Sequence, residues 1–368
     1  MRVVVTGGGS GGHVYPAIAI ADKFREKDPE VEILYIGYLD GFEKRVVPKA
    51  GYEMAEIDTR WVDRSSIKEL GLTAYHVGRG IVQARKVLKK FKPDVIIGTG
   101  GFVCFPVIFS GHRLGITCYI HEQNAFPGLA NRQLEKYVTR VFLGFEEGGE
   151  YFNSKDKLVT TGNPVRRSFY EIKKEDARRK LGFNDDDFII LSFGGSLGAE
   201  AINDLAMAVL EDMNGKPGQV LVFGTGRWYY DDVMAELDRR GINPESNIHI
   251  KNYIDDIDNY IAASDLIISR AGALSVAETL VAGKPSILVP SPNVTGNHQY
   301  FNAKAVADKG GAILIEEKDA DPSFIKAKVK ELMNDPDLLR SMGEKAKEQA
   351  PVMTTEIIYN EILKSYKK

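Results

Sequence analysis

One local pattern occurs twice in this chain and constrains the fold more than any other feature. A short apolar run passes into a glycine-rich turn and then a helix-like stretch, first as Val3-Val4-Val5-Thr6-Gly7-Gly8-Gly9 and again as Ile190-Leu191-Ser192-Phe193-Gly194-Gly195-Ser196. A strand that is apolar without alternation is buried on both faces, as in a parallel sheet covered by helices. The glycines let the chain turn sharply and bring backbone amides close to an anion. At 368 residues the chain exceeds one ordinary core, so the duplicated pattern predicts an α/β protein of two similar domains with a cleft between them. Its 43% hydrophobic residues supply the apolar surface that two such cores need.

β-Branched runs alternate with helical stretches throughout, the signature of βαβ units. In the first half strands are expected near Val3 to Thr6, Ile33 to Gly37, Val95 to Gly98, Thr117 to His121 and Val141 to Leu143. In the second half they are expected at Phe188 to Phe193, Val220 to Phe223, Leu266 to Ser269, Ser286 to Val289 and Ala312 to Ile315. Turn residues Gly162-Asn163-Pro164 interrupt the pattern, which sets the domains at residues 1–164 and 165–351. Pro351 separates two expected helices, Asp335 to Ala350 and Val352 to Tyr366.

Several function classes fall away. A net charge of -3 gives no global attraction to nucleic acid, so none is expected as a partner. Cys104 and Cys118 lack the spacing of a structural zinc site and read as buried, reduced thiols. The chain runs straight from Arg2 into a strand, with no leader-like segment, so secretion is not expected. No run of 18 apolar residues exists to span a bilayer. There is no G-x-x-x-x-G-K-[ST], and the second strand ends Tyr35-Ile36-Gly37, with the acids Asp40 and Glu43 only later. That placement counts against NAD, whose ribose wants an acid at the strand end.

Five clusters remain as candidates for chemistry. Gly7-Gly8-Gly9-Ser10-Gly11-Gly12-His13 matches G-x-G-x-x-G between a strand and a helix. His13 sits at a helix start, where the dipole disfavours its protonation; it is either a neutral base beside a phosphate or a residue that bonds the loop. Gly194-Gly195-Ser196-Leu197-Gly198-Ala199 repeats the arrangement, with Ser196 as a hydroxyl donor. Ser269-Arg270-Ala271-Gly272-Ala273-Leu274-Ser275-Val276-Ala277-Glu278 leaves a buried strand and enters a helix, so its amides can hold phosphate and Glu278 can accept from a ribose diol. His121-Glu122-Gln123-Asn124 lies at a strand's carboxyl end, where ligands bind in α/β sheets. Asn297-His298-Gln299-Tyr300-Phe301-Asn302 is either a second set of sugar-binding side chains or a polar helix start capped by Asn297.

In this order, and together with Val47-Pro48-Lys49-Ala50-Gly51, Lys92-Pro93-Asp94-Val95 and Gly162-Asn163-Pro164-Val165-Arg166, these segments resemble the MurG family of bacterial peptidoglycan enzymes over nearly the whole chain. That family moves N-acetylglucosamine from UDP-N-acetylglucosamine to an undecaprenyl-diphosphate-linked muramyl peptide. The resemblance implies the GT-B fold, with two Rossmann-like domains and the last helix, 352–368, packing back on the first. It implies an inverting transfer with no catalytic metal and no cofactor. It implies a first domain that takes the acceptor and a second that takes the donor. Ile254 would bind uracil through its backbone and Glu278 the ribose. Ser196, Arg166 and the Ala273, Leu274 and Ser275 amides would hold the diphosphate, and Val276 and Ala277 would bind the donor as well. Asn124 and Gln299 would orient the sugar, and Ser10, Gly11 and Gly12 would lie against the donor and the acceptor diphosphate. His13 is the expected base, with Glu122 and His121 in reserve.

Phe102 and Phe105 stand where Tyr and Gly are common in the family. A lipid acceptor implies a peripheral enzyme on the cytoplasmic side of the bacterial membrane. Ile67 to Phe91, mixing Leu70, Leu72, Tyr75, Ile81, Val82 and Leu88 with Arg79, Arg85, Lys86, Lys89 and Lys90, reads either as the membrane face or as an ordinary amphipathic helix. A UDP-N-acetylglucosamine 2-epimerase and a transferase to diacylglycerol remain as rivals.

Overall fold

In the first sheet the central strand β1 (Arg2–Thr6) is buried from Val3 onward, and its residues alternate between two cores. Val3 and Val5 join one hydrophobic cluster and Val4 another, one on each face. The computed structural model describes residues 1–61 and 66–366. It divides the chain into two compact units, Met1–Val165 with the chain from Pro351 onward, and Arg166–Ala350.

The first unit contains β1, β2 (Glu32–Tyr38), β3 (Glu53–Ile57), β4 (Val95–Gly98), β5 (Thr117–Glu122), β6 (Arg140–Leu143) and β7 (Leu158–Thr160). All pair in parallel, in the order β3-β2-β1-β4-β5-β6-β7. Helix α1 (Gly11–Lys27) covers one face. Helices α2 (Ile67–Phe91) and α3 (Cys104–Arg113) cover the other.

The C-terminal helix Thr354–Tyr366 packs on the α1 side of this sheet. Its Ile358 and Ile362 are fully buried in the same cluster as Val3 and Val5, Tyr359 meets Phe24 edge-on at 5.0 Å, and Glu356 pairs with Lys27 at 2.8 Å. The helix starts two residues later than the sequence pattern suggests, since Met353 adopts a left-handed conformation, φ 56°. Lys367 and Lys368, the end of the expected helix, lie outside the described residues.

The second unit repeats the plan with β8 (Phe188–Phe193), β9 (Gln219–Gly224), β10 (Ile248–Lys251), β11 (Leu266–Ser269), β12 (Ser286–Leu288) and β13 (Ala312–Leu314). Their order is β10-β9-β8-β11-β12-β13, again parallel. Helices α4 (Glu200–Met213), α5 (Ala273–Val281) and α6 (His298–Ala307) follow β8, β11 and β12. The ten expected strands are present. The three that the pattern did not reveal, β3, β7 and β10, are all edge strands. An edge strand needs no continuous apolar run, and Glu53–Ile57 and Ile248–Lys251 carry charges within them.

Both cysteines are free and buried, as expected. Among the described residues no helix is long and apolar enough to cross a membrane.

Candidate active-site elements of the two units

Each sheet reverses its strand order beside its first strand, and ligands of open α/β sheets bind outside the carboxyl ends at such a point. In the first unit Thr6 of β1 lies opposite Gly98 of β4, so both strands leave the sheet at one level. The Gly8 amide donates to the Gly100 carbonyl at 3.3 Å. Gly101 has φ +83°, and a Cβ there would stand 2.2 Å from the Gly8 oxygen. No side chain is possible at that position.

Below the loop, the fully buried Glu43 accepts from the Tyr38 amide at 2.8 Å and the Gly9 amide at 3.2 Å. The acid that comes too late for a ribose thus anchors the loop from inside. Ser10 is the N-cap of α1 without a side-chain cap bond; its carbonyl accepts from His13 and Val14, each at 3.1 Å. The Gly11 and Gly12 amides find no partner among the described residues, leaving the helix N-terminus open to an anion.

His13 is half-buried. Its Nδ1 lies 3.1 Å from the Thr99 carbonyl and 3.2 Å from Gln123 Oε1, while the Thr99 hydroxyl donates to the His13 carbonyl at 2.7 Å. Nε2 has no partner among the described residues.

The reserve bases do not survive this geometry. His121 is fully buried, with Nε2 on the Gly162 carbonyl at 3.0 Å and Nδ1 on Gln123 Nε2 at 3.0 Å. Burial pulls its pKa down to about 4, against the Gly162 hydrogen bond. Glu122, 1% exposed, accepts from the Asn124 amide (3.0 Å) and Nδ2 (3.1 Å) on Oε1, and from Gly128 N (3.0 Å) and Asn131 Nδ2 (2.9 Å) on Oε2. Both are enclosed and fully engaged. β5 carries them below the surface, and Glu122 instead holds the partly exposed Asn124 in place.

Beside the loop lies a cavity of about 530 Å³ whose lining includes Gly9, Tyr38, Asp40, Trp61, His76 and Phe102. His76 lines it, with Nδ1 2.9 Å from Asp58 Oδ1. Phe102 packs edge-on against Tyr38 at 5.3 Å.

In the second unit Phe193 of β8 lies opposite Ser269 of β11, so Gly194 and Arg270 leave the sheet side by side. Ser196 is exposed on the loop, which is tied to the turn after β9 by Arg227 N donating to the Ser196 carbonyl (3.4 Å) and Trp228 N to the Leu197 carbonyl (3.2 Å). Helix α5 begins after Gly272 with no side-chain cap, and the Leu274 and Ser275 amides have no partner among the described residues. Ala273 opens the same turn. Val276 and Ala277 are each 2% exposed, and the Val276 amide donates to the Gly272 carbonyl at 2.9 Å. These two expected ligand residues therefore belong to the core face of α5, because helix periodicity turns them inward.

One turn further, Glu278 keeps part of its surface open yet lies deep among protein atoms. Loss of hydration pushes its carboxyl up to about 7; the Arg166 charge opposes this and Asp258 adds to it. Arg166 is exposed, with its guanidinium 5.0 Å above the Phe169 ring. Ile254 is buried on the loop after β10, its side chain close over Gly224. Its backbone makes no hydrogen bond among the described residues.

Gln299 accepts from the Ser291 amide at 2.9 Å through Oε1, which leaves its Nε2 as the outward donor. It lines a cavity of about 480 Å³ with Gly194, Gly198, Asp204, Arg270 and Ser291. Arg270, quoted in the sequence motif without a role, pairs there with Glu317 at 2.5 Å. Asn297 does not cap α6: it is left-handed, φ 52°, with no side-chain cap bond.

Comparisons with known proteins bear on the family and the architecture. Residues 3–143 match the glycosyltransferase family 28 N-terminal domain and residues 189–357 its C-terminal domain. A UDP-N-acetylglucosamine–N-acetylmuramyl-(pentapeptide) pyrophosphoryl-undecaprenol N-acetylglucosamine transferase of Acetivibrio thermocellus is 40% identical over 368 residues, 100% of this chain and 99% of that protein. Among solved structures, MurG of Acinetobacter baumannii superposes with a TM-score of 0.77 at 27% identity, covering 99% of each chain. The UDP-GlcNAc 2-epimerase of Neisseria meningitidis bound to UDP-GlcNAc, at TM-score 0.70 and 16% identity over 99% of this chain and 100% of that one, shares the fold alone. The architecture is that of GT-B glycosyltransferases. The chain belongs to glycosyltransferase family 28, with the UDP-N-acetylglucosamine–N-acetylmuramyl-(pentapeptide) pyrophosphoryl-undecaprenol N-acetylglucosamine transferases.

Proposed function

We propose that this chain transfers N-acetylglucosamine, with inversion, from UDP-N-acetylglucosamine to the C4 hydroxyl of undecaprenyl-diphospho-N-acetylmuramyl-pentapeptide, yielding the β-1,4 disaccharide on the lipid and UDP. The observation that carries this reading is 40% identity across the full length of a transferase so named. The open helix N-termini of both units support it.

In the second unit the unbonded Ile254 backbone suits a uracil edge, and Glu278 suits a ribose diol. As UDP departs, negative charge grows on its β-phosphate. The uncapped first turn of α5, from Ala273 to Ser275, with Ser196 and Arg166, neutralises it; comparable preorganised donors in acyl-transfer enzymes contribute roughly 3 kcal/mol each. Gln299 Nε2 and Asn124 are the sugar contacts. In the first unit, Ser10, Gly11 and Gly12 meet the acceptor diphosphate. His13 Nε2 takes the proton from the C4 hydroxyl, a step that contributes about 10²–10⁴-fold.

The lipid acceptor puts the first unit on the inner face of the cytoplasmic membrane, as a peripheral protein. On α2, Ile67, Tyr75 and Val82 stand 89%, 61% and 69% exposed, with Arg85, Lys86, Lys89 and Lys90 exposed along the same helix. That combination suits anionic headgroups.

The test is UDP release from UDP-N-acetylglucosamine with and without a soluble lipid-linked muramyl-pentapeptide analogue. Release that depends on the acceptor is expected. Conversion of the donor alone to UDP-N-acetylmannosamine would instead make the protein an epimerase.

A further inference from the structure

The side chain of Gln123 lies between two histidines, and three backbone carbonyls determine every proton along the line. The Thr99 carbonyl, an acceptor only, is 3.1 Å from His13 Nδ1; that nitrogen must carry hydrogen. The His121 carbonyl is 3.3 Å from one end of the Gln123 amide, so that end is the NH₂ and the other, 3.2 Å from His13 Nδ1, is the oxygen. The Gly162 carbonyl is 3.0 Å from His121 Nε2. That nitrogen is therefore protonated, and His121 Nδ1 receives the Gln123 NH₂ at 3.0 Å. Reversing the amide would set donor against donor at His13 and oxygen against oxygen at the His121 carbonyl.

The line is tied down at its ends. Asn163 Nδ2 donates to the Gln123 carbonyl at 2.9 Å. Gly100, at φ +107°, provides the seat for the imidazole, since a Cβ there would stand 2.7 Å from His13 Nδ1. His121 is fully buried and Gln123 is 2% exposed, so water does not compete for the bonds between these two. Free imidazole has no such constraint and exchanges between its two neutral forms.

We infer that Gln123 is a positioning residue for the transfer: it holds His13 in the neutral form protonated on Nδ1, which leaves the lone pair on the outward Nε2, and His121 holds Gln123 in the orientation that does so. The catalytic consequence rests on His13 being the base proposed above. The lock itself does not. Gln123 therefore acts through His13 and touches no substrate.

The experiment uses the full-length protein with ¹⁵N-labelled histidine. With six histidines in the chain, the His13 signals are assigned by their loss in H13A. The ring ¹⁵N shifts report which nitrogen carries the proton. The wild-type protein should show His13 protonated on Nδ1. Q123L should show a mixture of both forms and a kcat about 10–100-fold lower, with KM for the donor within about twofold. Q123E, as the protonated carboxyl, keeps an acceptor facing His13 and a hydroxyl donor facing His121, and should retain the Nδ1–H form and part of the lost kcat, which also covers the case in which Q123L does not fold. His13 protonated on Nε2 in the wild type, or a Q123L spectrum like the wild type's, overturns the lock. A shifted spectrum with unchanged kcat overturns the positioning role. Near-normal turnover in H13A brings down the base reading, whatever Q123L shows.

Discussion

Gly198 and Gly226 lie backbone against backbone: a Cβ on Gly226 would stand 2.1 Å from the Gly198 amide nitrogen, and one on Gly198 would stand 2.2 Å from the Thr225 carbonyl. Both have positive φ, +94° and +82°. The loops after β8 and β9 thereby form one piece, and the first carries Ser196. Substituting G226A forces both a strained φ, costing ~1–3 kcal/mol, and a backbone collision. Gly241 shares the positive φ, +65°, but faces open space. G226A should therefore lower the unfolding temperature by several °C more than G241A and weaken UDP binding about tenfold or more. Calorimetry on the two variants checks both, and equal effects would contradict the two-loop account.

The proposed ribose contact of Glu278 predicts donor binding that is sensitive to pH. Its carboxyl must be ionised to accept two ribose hydroxyls, and burial pushes it up to about 7. Uridine, which has no phosphate to titrate, should bind about tenfold more weakly at pH 6 than at pH 8, and E278Q should flatten the profile. The unliganded protein shows the opposite sign. A folded value near 7, above the ordinary 4.5, means that the folded state holds the proton more tightly. The stability contributed is complete below about 4.5 and is lost as pH rises through 7. Titration by calorimetry and thermal unfolding across this range read the two effects separately.

Substituting H13A should lower kcat by about 10²–10⁴-fold and leave the affinity for UDP, measured calorimetrically, within about twofold. The unfolding temperature serves as the control for structure.

On α2, replacing Ile67, Tyr75 and Val82 together by Ser removes exposed apolar surface without touching the buried Thr73, Gly80, Ala84 and Leu88. Cosedimentation with vesicles containing anionic lipid should fall about tenfold, while turnover of a soluble acceptor analogue stays the same. Undiminished cosedimentation would assign membrane contact to another surface.

The central strands and both glycine turns were legible because a doubly covered strand must be apolar throughout, as Val3 to Val5 and Ile189 to Leu191 are. Three of the four edge strands, β3, β7 and β10, were not, because one side of each faces no neighbouring strand; only the apolar β13 was. The same logic applies to the site. The side chains of His121 to Asn124 all read as hydrogen-bonding groups for a sugar, but β5 runs through Glu122, and only Asn124 of the four escapes burial. Val276 and Ala277 differ for a related reason: the sequence shows a strand entering a helix but not where the open amides end, and in α5 only the first turn has amides to offer. Glu43 and Gln123 act through partners distant in sequence, Gly9 and His13, which no local spacing reveals.

The most direct test of the transfer itself is the linkage of its product. NMR and mass analysis of the lipid-linked product, made from UDP-N-acetylglucosamine and a muramyl-pentapeptide acceptor, should show N-acetylglucosamine joined β-1,4 to the muramyl sugar, the inverted configuration. An α linkage, or transfer to diacylglycerol in place of the muramyl acceptor, would contradict the account.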